Sequence, residues 1–551
     1  MDNSDSDRLK ATPLEVHYHT SDHNCRSFQI NAGSLIQDPN TNGHETNRLR
    51  VWAKHEANNR RSEDYWRWVH LPANNKTWAE HAMYQLSDMD DETLKIYRNG
   101  INAFTTESYH EIRGPAQHAR FRQPIFKPLS GSRGGIFSLV IPYLDSESLI
   151  CLLNFYNKQP CHTVECDHNF EKQETSKELY KAPDSPASFH TPLTLDQSYY
   201  LSLHNSRLRD KDQVVIEHVE RQEMLQPRTG TARPRRLLMV NQMWVWKVDA
   251  ATLITAFPDR RHPYQTNLSE RITENIKASP PSTIASVISR LLREVTGFVD
   301  APTNAGLTDN VFHIFEQSVA YRAQEDADCY ARFNKLQKDL NILETEKILR
   351  GSSKVRDQKT MDIEAQLCNI TKEVDHLCEI KDIKDELKMI HKVLEDQKAV
   401  IDQYTTSYEE LNFGVNEKQS DRGKEWVSGD GESQLLLETK NMLDLRISKV
   451  KSLFTDASTV ENSLNHLLDL KQKQGSLIVV RDTRSLANEA DQRAKDSAWQ
   501  SKLLFIFTIV TVLFDPDPYI FYIHINGGSN SRIPTFKRGR SGLEIVATTF
   551  R

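Results

Sequence analysis

The sequence predicts a mixed α+β fold: an α/β domain, then a long antiparallel helical stalk, then a C-terminal helix that enters a membrane, within 551 residues. Three observations carry this expectation. Short apolar runs separated by turn formers fill residues 49–280. Apolar residues then recur at helical spacing through most of residues 281–514. Finally, residues 503–514 read Leu-Leu-Phe-Ile-Phe-Thr-Ile-Val-Thr-Val-Leu-Phe, with no charge.

Residues 1–48 are polar and rich in Asn, Asp and Ser, so they read as a disordered tail. They lack the charged, apolar, small-residue order of a signal peptide, which places the N-terminal part in the cytosol. Residues 49–280 read as an α/β domain. Its strands are expected at 135–144, 237–240 and 244–246, with a helix at 91–97 and a polar insertion at 157–186. Trp66, Trp68, Trp78, Trp244 and Trp246 are expected to pack in its core or at an interface.

Residues 281–419 read as the first part of the stalk. Ile284, Val287, Ile288, Leu291, Leu292 and Val295 mark a helix, and a loop with Pro302, Asn304 and Gly306 follows. Further on, Ile380, Ile383, Leu387, Ile390, Leu394 and Ile401 alternate by three and four, with Gln397 the polar member. Residues 420–434 form a polar linker, after which Leu436, Leu443, Val450, Ala457 and Leu464 fall seven apart, with Leu453, Val460 and Leu467 as the second seam. Such heptads predict coiled-coil packing of two long antiparallel helices, 311–412 and 435–514.

The twelve-residue run at 503–514 spans only about 18 Å as helix, against a hydrocarbon core of about 30 Å. Alone it reads as a buried helix. It continues a long amphipathic helix, however, and follows Arg493, Lys495 and Lys502, a flank expected on the cytosolic side. Ser497, Ser501, Leu504, Thr508, Thr511 and Asp515 fall on one stripe. Two readings stand side by side: the threonines bond their own backbone, or Ser501, Thr508 and Thr511 line a water-filled wall in a symmetric ring of helices. Asp515-Pro516-Asp517-Pro518 stops the helix, and residues 515–551 form an atypical tail.

A net charge of −6, from 70 basic and 76 acidic residues, makes no field that would attract nucleic acid. The seven cysteines read as reduced thiols rather than a disulfide framework. Cys161, His162, Cys166 and His168 could offer zinc two thiolates and two imidazoles, but their spacing fits no common finger, and incidental loop residues are the simpler reading. Asp196, Asp210 and Asp212 supply hard oxygen donors that suit magnesium; the alternative is a charged turn with capping carboxylates. No phosphate loop, nucleophile elbow or zinc helix appears, so the chain does not read as an enzyme, and no cofactor is expected.

Several segments together resemble the fungal CorA-like metal-ion transporter proteins. They are Arg67-Trp-Val-His-Leu-Pro-Ala-Asn-Asn75 with Trp78, Ile141-Pro-Tyr-Leu144, Thr194-Leu-Asp-Gln-Ser-Tyr-Tyr200, Arg209-Asp-Lys-Asp-Gln-Val-Val215, Leu238-Met-Val-Asn-Gln-Met-Trp-Val-Trp246, Ile254-Thr-Ala-Phe-Pro258, Leu468-Asp-Leu-Lys-Gln-Lys-Gln474 and Phe507-Thr-Ile-Val-Thr511. The resemblance runs from about residue 60 to 514. It implies a homo-oligomer, a pentamer in that family, embedded in a membrane with its N-terminal domain in the cytosol and carrying divalent cations, chiefly magnesium. The family's Gly-Met-Asn filter and second membrane helix are missing here, so the chain reads as a truncated or degenerate relative whose tail comes from a faulty gene end. The rival reading is a soluble coiled-coil interaction or scaffold protein.

Overall fold

The computed structural model describes residues 13–19, 25–31, 66–75, 78–79, 82–83, 109–111, 120–128, 136–150, 190, 192–201, 203, 206–225, 235–249, 251–258, 267–302, 307–351, 354–416, 430–514, 535–539 and 542–546. It is a mixed α+β protein with a helical majority. Two compact units are present, Met1–Gln474 and Gly475–Arg551.

The first unit is built on one sheet. Its strands are β1 (Pro13–His19), β2 (Cys25–Asn31), β3 (Arg67–Leu71), β6 (Ile125–Pro128), β7 (Phe137–Ser148), β8 (Leu193–Thr194), β9 (Arg236–Lys247) and β10 (Thr252–Ala256), while β4 (Tyr109–Glu111) and β5 (Arg120–Arg122) form a separate pair. The order is β2-β1-β3-β10-β9-β7-β6, with β8 also on β9. β3 and β10 run parallel; the other pairs are antiparallel.

β1 and β2 lie inside the stretch expected to be disordered. Val16 is buried, and β1 pairs with β3 from Glu15↔His70 to Tyr18↔Arg67, so sheet pairing supplies the order that composition did not suggest. β7 and β9 pair over twelve residues each, from Phe137↔Lys247 to Ser148↔Arg236, and are buried almost throughout. β9 joins the two short strands expected at 237–240 and 244–246. The polar residues between them do not break it because each has a partner: Asn241 Nδ2 donates to Asp145 Oδ2 at 2.7 Å, and Gln242 Nε2 to the Arg122 carbonyl at 2.7 Å. The expected tryptophan core is present, with Trp66, Trp68, Trp78, Trp244 and Trp246 all buried. Trp66 donates to the Pro281 carbonyl at 2.7 Å and Trp68 to Thr255 Oγ1 at 2.8 Å, which satisfies the indoles that burial would otherwise strand.

Short helices α1 (Leu195–Tyr199) and α2 (Arg207–Lys211) lead into α3 (Val214–Leu225), and α4 (Leu268–Ala278) and α5 (Ile284–Gly297) follow β10. The apolar face predicted for 284–295 packs α5 against α4 and against Leu139, Ile141 and Tyr143 of β7 and Met243 and Val245 of β9.

Three helices and the N-terminal half of a fourth complete the unit: α6 (Val311–Arg350), α7 (Lys354–Cys368), α8 (Thr371–Asn416) and α9 (Asp430–Phe514), whose residues from Gly475 onward belong to the second unit. Side-chain pairs fix their directions. Glu316 meets Lys449 at 2.9 Å and Tyr330 meets His466 at 2.8 Å, numbers rising together, so α6 and α9 are parallel. Glu325 meets His376 at 2.7 Å and the Glu346 carbonyl accepts from Arg356 at 3.2 Å, numbers running oppositely, so α7 and α8 both return along α6. Asp402 meets Lys440 and Glu373 meets Lys471, each at 2.7 Å, so α8 and α9 are antiparallel. The expected antiparallel pair is therefore a three-limbed bundle. Residues 311–412 are not one helix, because Gly351 adopts φ 77°, a left-handed conformation that ends α6.

The heptad seams serve this intrachain bundle. Leu443 packs against the sheet core, while Val450, Ala457 and Leu464 join Ile380, Ile383, Leu387, Ile390 and Leu394 in another shared core. A coiled coil between chains is thus not what these heptads specify. Gln397, the polar seam member, is buried where α8 crosses β7, and its Nε2 donates to the Pro142 carbonyl at 2.9 Å.

The expected membrane-entry helix, and with it transmembrane ion transport by this chain, is corrected by the structure. Among the described residues no helix is long and apolar enough to cross a membrane. The apolar run is too short, and the helix turns leading into it carry Arg493, Lys495, Asp496 and Lys502. In the second unit the C-terminal half of α9 precedes a hairpin of β11 (Thr535–Gly539) and β12 (Gly542–Val546), within the expected atypical tail. The helix expected at 91–97, the insertion at 157–186 and most of the 420–434 linker lie outside the described residues, as does the strand-like run 519–525.

Candidate functional site

The segments from Thr194 to Val215 carry two of the resemblance motifs, and they fold into a polar knot between the sheet and α8. Thr194 caps α1: its Oγ1 accepts from the Gln197 amide at 3.3 Å, and Gln197 Oε1 accepts from the Thr194 amide at 3.2 Å, a reciprocal capping box. Gln197 Nε2 then donates to Ser206 Oγ at 2.9 Å, and Ser206 Oγ donates to Asp210 Oδ2 at 2.6 Å. Gln213 clamps the sheet by accepting from the Leu238 amide at 2.7 Å and donating to the Leu238 carbonyl at 3.3 Å.

Two of the three candidate ligands are buried in this knot. Asp196, 2 % exposed, is held by the Arg209 guanidinium, which also lies 5.3 Å over the Tyr200 ring. Burial raises the Asp196 carboxyl, with Arg209 opposing the shift. Asp210, 1 % exposed, is raised to about 6 by burial, with Ser206 and Thr194 opposing. Asp212 is exposed and ends α2.

The structure adds carboxylates that no sequence motif singled out. Glu386 of α8 is buried, accepts from the Val214 amide at 2.9 Å at the start of α3, and is held well above the usual carboxylate range by burial. Glu217 of α3 is raised to about 7, chiefly by burial and then by Glu379, against Arg322 and Arg221. Asp382 is raised by burial and by Asp385, with Arg209 opposing. Glu379, Asp382 and Glu386 sit three or four apart on α8, a spacing visible in the sequence; that α1 to α3 would cover this face was not. The result is a cluster with more carboxyls than cations, which holds protons near neutral pH. Among the described residues no group of three His, Cys, Asp or Glu side chains could hold a metal ion.

The candidate pore residues lie on the exposed part of α9. Ser501 and Thr508 are exposed, and Thr508 Oγ1 donates to the Leu504 carbonyl at 2.7 Å, bonding its own helix backbone. Thr511 is helical, with its side chain outside the described residues, as are Cys161, His162, Cys166 and His168. From 479 to 509 every described side chain of α9 is exposed, including Val480, Leu486, Trp499, Leu504, Phe505 and Phe507.

No protein-family model and no curated protein matches the chain.

Proposed function

We propose that this protein is a helical interaction scaffold that self-associates through the C-terminal part of α9. One observation carries the reading. Val480, Thr483, Ala487, Ala490, Ala494, Ser497, Ser501, Leu504 and Thr508 recur at spacings of three and four along a helix whose side chains there are all exposed. The small side chains continue, toward the N-terminus, the stripe recognised from Ser497 onward. Residues 475–509 extend about 52 Å as helix, and an unsupported helix of polar and apolar residues is marginal in water. A seam of heptad spacing lets identical helices approach closely and exclude water along one line. The CorA-like resemblance supports the same arrangement, a sheet domain carried on a homo-oligomeric stalk. It does not extend to ion transport, for which no described helix supplies the membrane crossing.

Sedimentation velocity and light scattering on the full chain test the proposal. The wild type is expected to be a discrete oligomer. The double variant Ala490→Glu/Ala494→Glu places charges on the seam and is expected to give monomers with unchanged far-ultraviolet circular dichroism. Asn488→Glu, off the seam, is expected to leave the oligomer intact. A monomeric wild type, or equal dissociation by both variants, overturns the reading.

A further inference from the structure

The first amides of a helix have no partner within it, and α3 takes one of its partners from another helix. The Gln213 carbonyl accepts from the Ile216 and Glu217 amides at 2.9 and 3.1 Å, while the Gln213 side chain is occupied by Leu238. The Val214 amide donates instead to Glu386 Oε1 of α8 at 2.9 Å, across 172 positions of sequence. Glu386 is 6 % exposed, and its Oε2 is buried with no hydrogen-bond partner among the described residues. No cation is paired with it there. Arg209 of α2 is engaged with Asp196 of α1, Arg322 of α6 with Glu379 at 2.5 Å, and Lys388 with Asp385 at 3.0 Å, while Arg221 of α3 lies 4.3 Å over the Tyr321 ring. Burial first, then Asp196 of α1, Glu217 of α3 and Asp382 of α8, oppose ionisation of Glu386, against the Val214 amide. A carboxyl so placed takes up a proton rather than stand as a buried, unpaired ion.

We infer that Glu386 is a proton-operated latch: protonated, it fastens the N-terminus of α3 to α8, and ionised, it releases α2 and α3 so that water reaches the carboxylate. The closed state therefore holds one more proton than the open one, and the latch closes as pH falls and opens as pH rises through the titration of the buried carboxyl. Val214, Val215 and Ile216 are buried in the core beneath α3, so opening exposes apolar surface and the open form stays a minor state whose population pH sets. The opening is local, because the sheet pairing of β7 with β9 and the seam between α8 and α9 do not pass through α3. The inference is independent of the self-association reading.

Hydrogen exchange of the full chain, read by mass spectrometry between about pH 6 and about pH 9 and corrected for intrinsic exchange, tests it. Peptides covering residues 207–225 are expected to lose protection in the upper part of that range by about tenfold per pH unit, the slope of one proton released on opening. Peptides covering residues 443–464 of α9 are expected to hold theirs. Glu386→Gln keeps an oxygen for the Val214 amide and cannot ionise, so it is expected to retain the low-pH protection of the wild type throughout. Glu217→Gln is expected to keep the slope, which assigns the proton to Glu386. Should Glu386→Gln not fold, the wild-type profile decides alone. A flat wild-type profile, protection lost equally along α9, a slope that persists in Glu386→Gln, or a slope abolished by Glu217→Gln each overturns the proposal.

Discussion

Lys471 of α9 and Glu373 of α8 form an ion pair of 2.7 Å whose side chains are 8 % and 5 % exposed, which ties the far end of the returning limb to the outgoing one. Removing one partner leaves a buried charge alone. Lys471→Met should therefore destabilise the bundle by about 3–5 kcal/mol, whereas the double replacement Lys471→Met/Glu373→Leu should recover most of that loss. Urea unfolding of the three variants against wild type measures both.

The carboxylate cluster sets the direction of the pH response. A carboxyl raised on folding binds its proton more tightly in the folded chain, so its penalty is present above the folded pKa and is relieved as pH falls through it. With Glu217 at about 7 and Asp210 at about 6, stability should rise as pH is lowered through that interval. Glu217→Gln should flatten the upper part of the rise. Thermal midpoints at stepped pH give the slope; stability rising with pH between these values would contradict the assignment.

Gly351 ends α6 at φ 77°, and a Cβ built there meets nothing within 4 Å. The cost of a side chain is therefore conformational. Gly351→Ala and Gly351→Asn should each destabilise by about 1–3 kcal/mol, since φ 77° with ψ 174° lies in a region that glycine alone enters readily, outside the αL well that asparagine tolerates. Chemical denaturation of the pair separates backbone strain from packing.

Leu464 and Leu477 share one helix and differ in surroundings. Leu464 is fully buried in the bundle core, while Leu477 is 64 % exposed. Leu464→Ala should cost about 2–5 kcal/mol. Leu477→Ala should stay within about 0.5 kcal/mol. Equal effects in thermal unfolding would mean that the bundle does not end where the structure ends it.

Periodicity made much of this architecture legible. The strand at 135–144, the α5 face and the seam from Leu436 to Leu467 follow from the spacing of apolar residues, because a period of two or of three to four fixes which side of an element can leave water. The tryptophans were legible as core for the same reason. Asp196 and Asp210 were visible as acids, but their roles were not: a carboxylate beside Arg209 or Ser206 becomes a structural partner only when the capping box and α8 close over it.

The sequence by itself determined that this is an α+β chain with long amphipathic helices, since local spacing and turn chemistry need no partner to be read. Tertiary structure alone decided three matters. It gave order to residues 13–19 and 25–31, because the hydrogen bonds that hold β1 lie on β2 and on β3, the latter distant in sequence. It turned the heptads inward, because a single left-handed glycine at 351 folds the rod back on itself so that its own limbs fill the seams. It left residues 479–509 of α9 exposed, because the returning limbs α7 and α8 cover only the part of that helix within their reach, and whether an apolar stripe is core or surface depends on what stands opposite it.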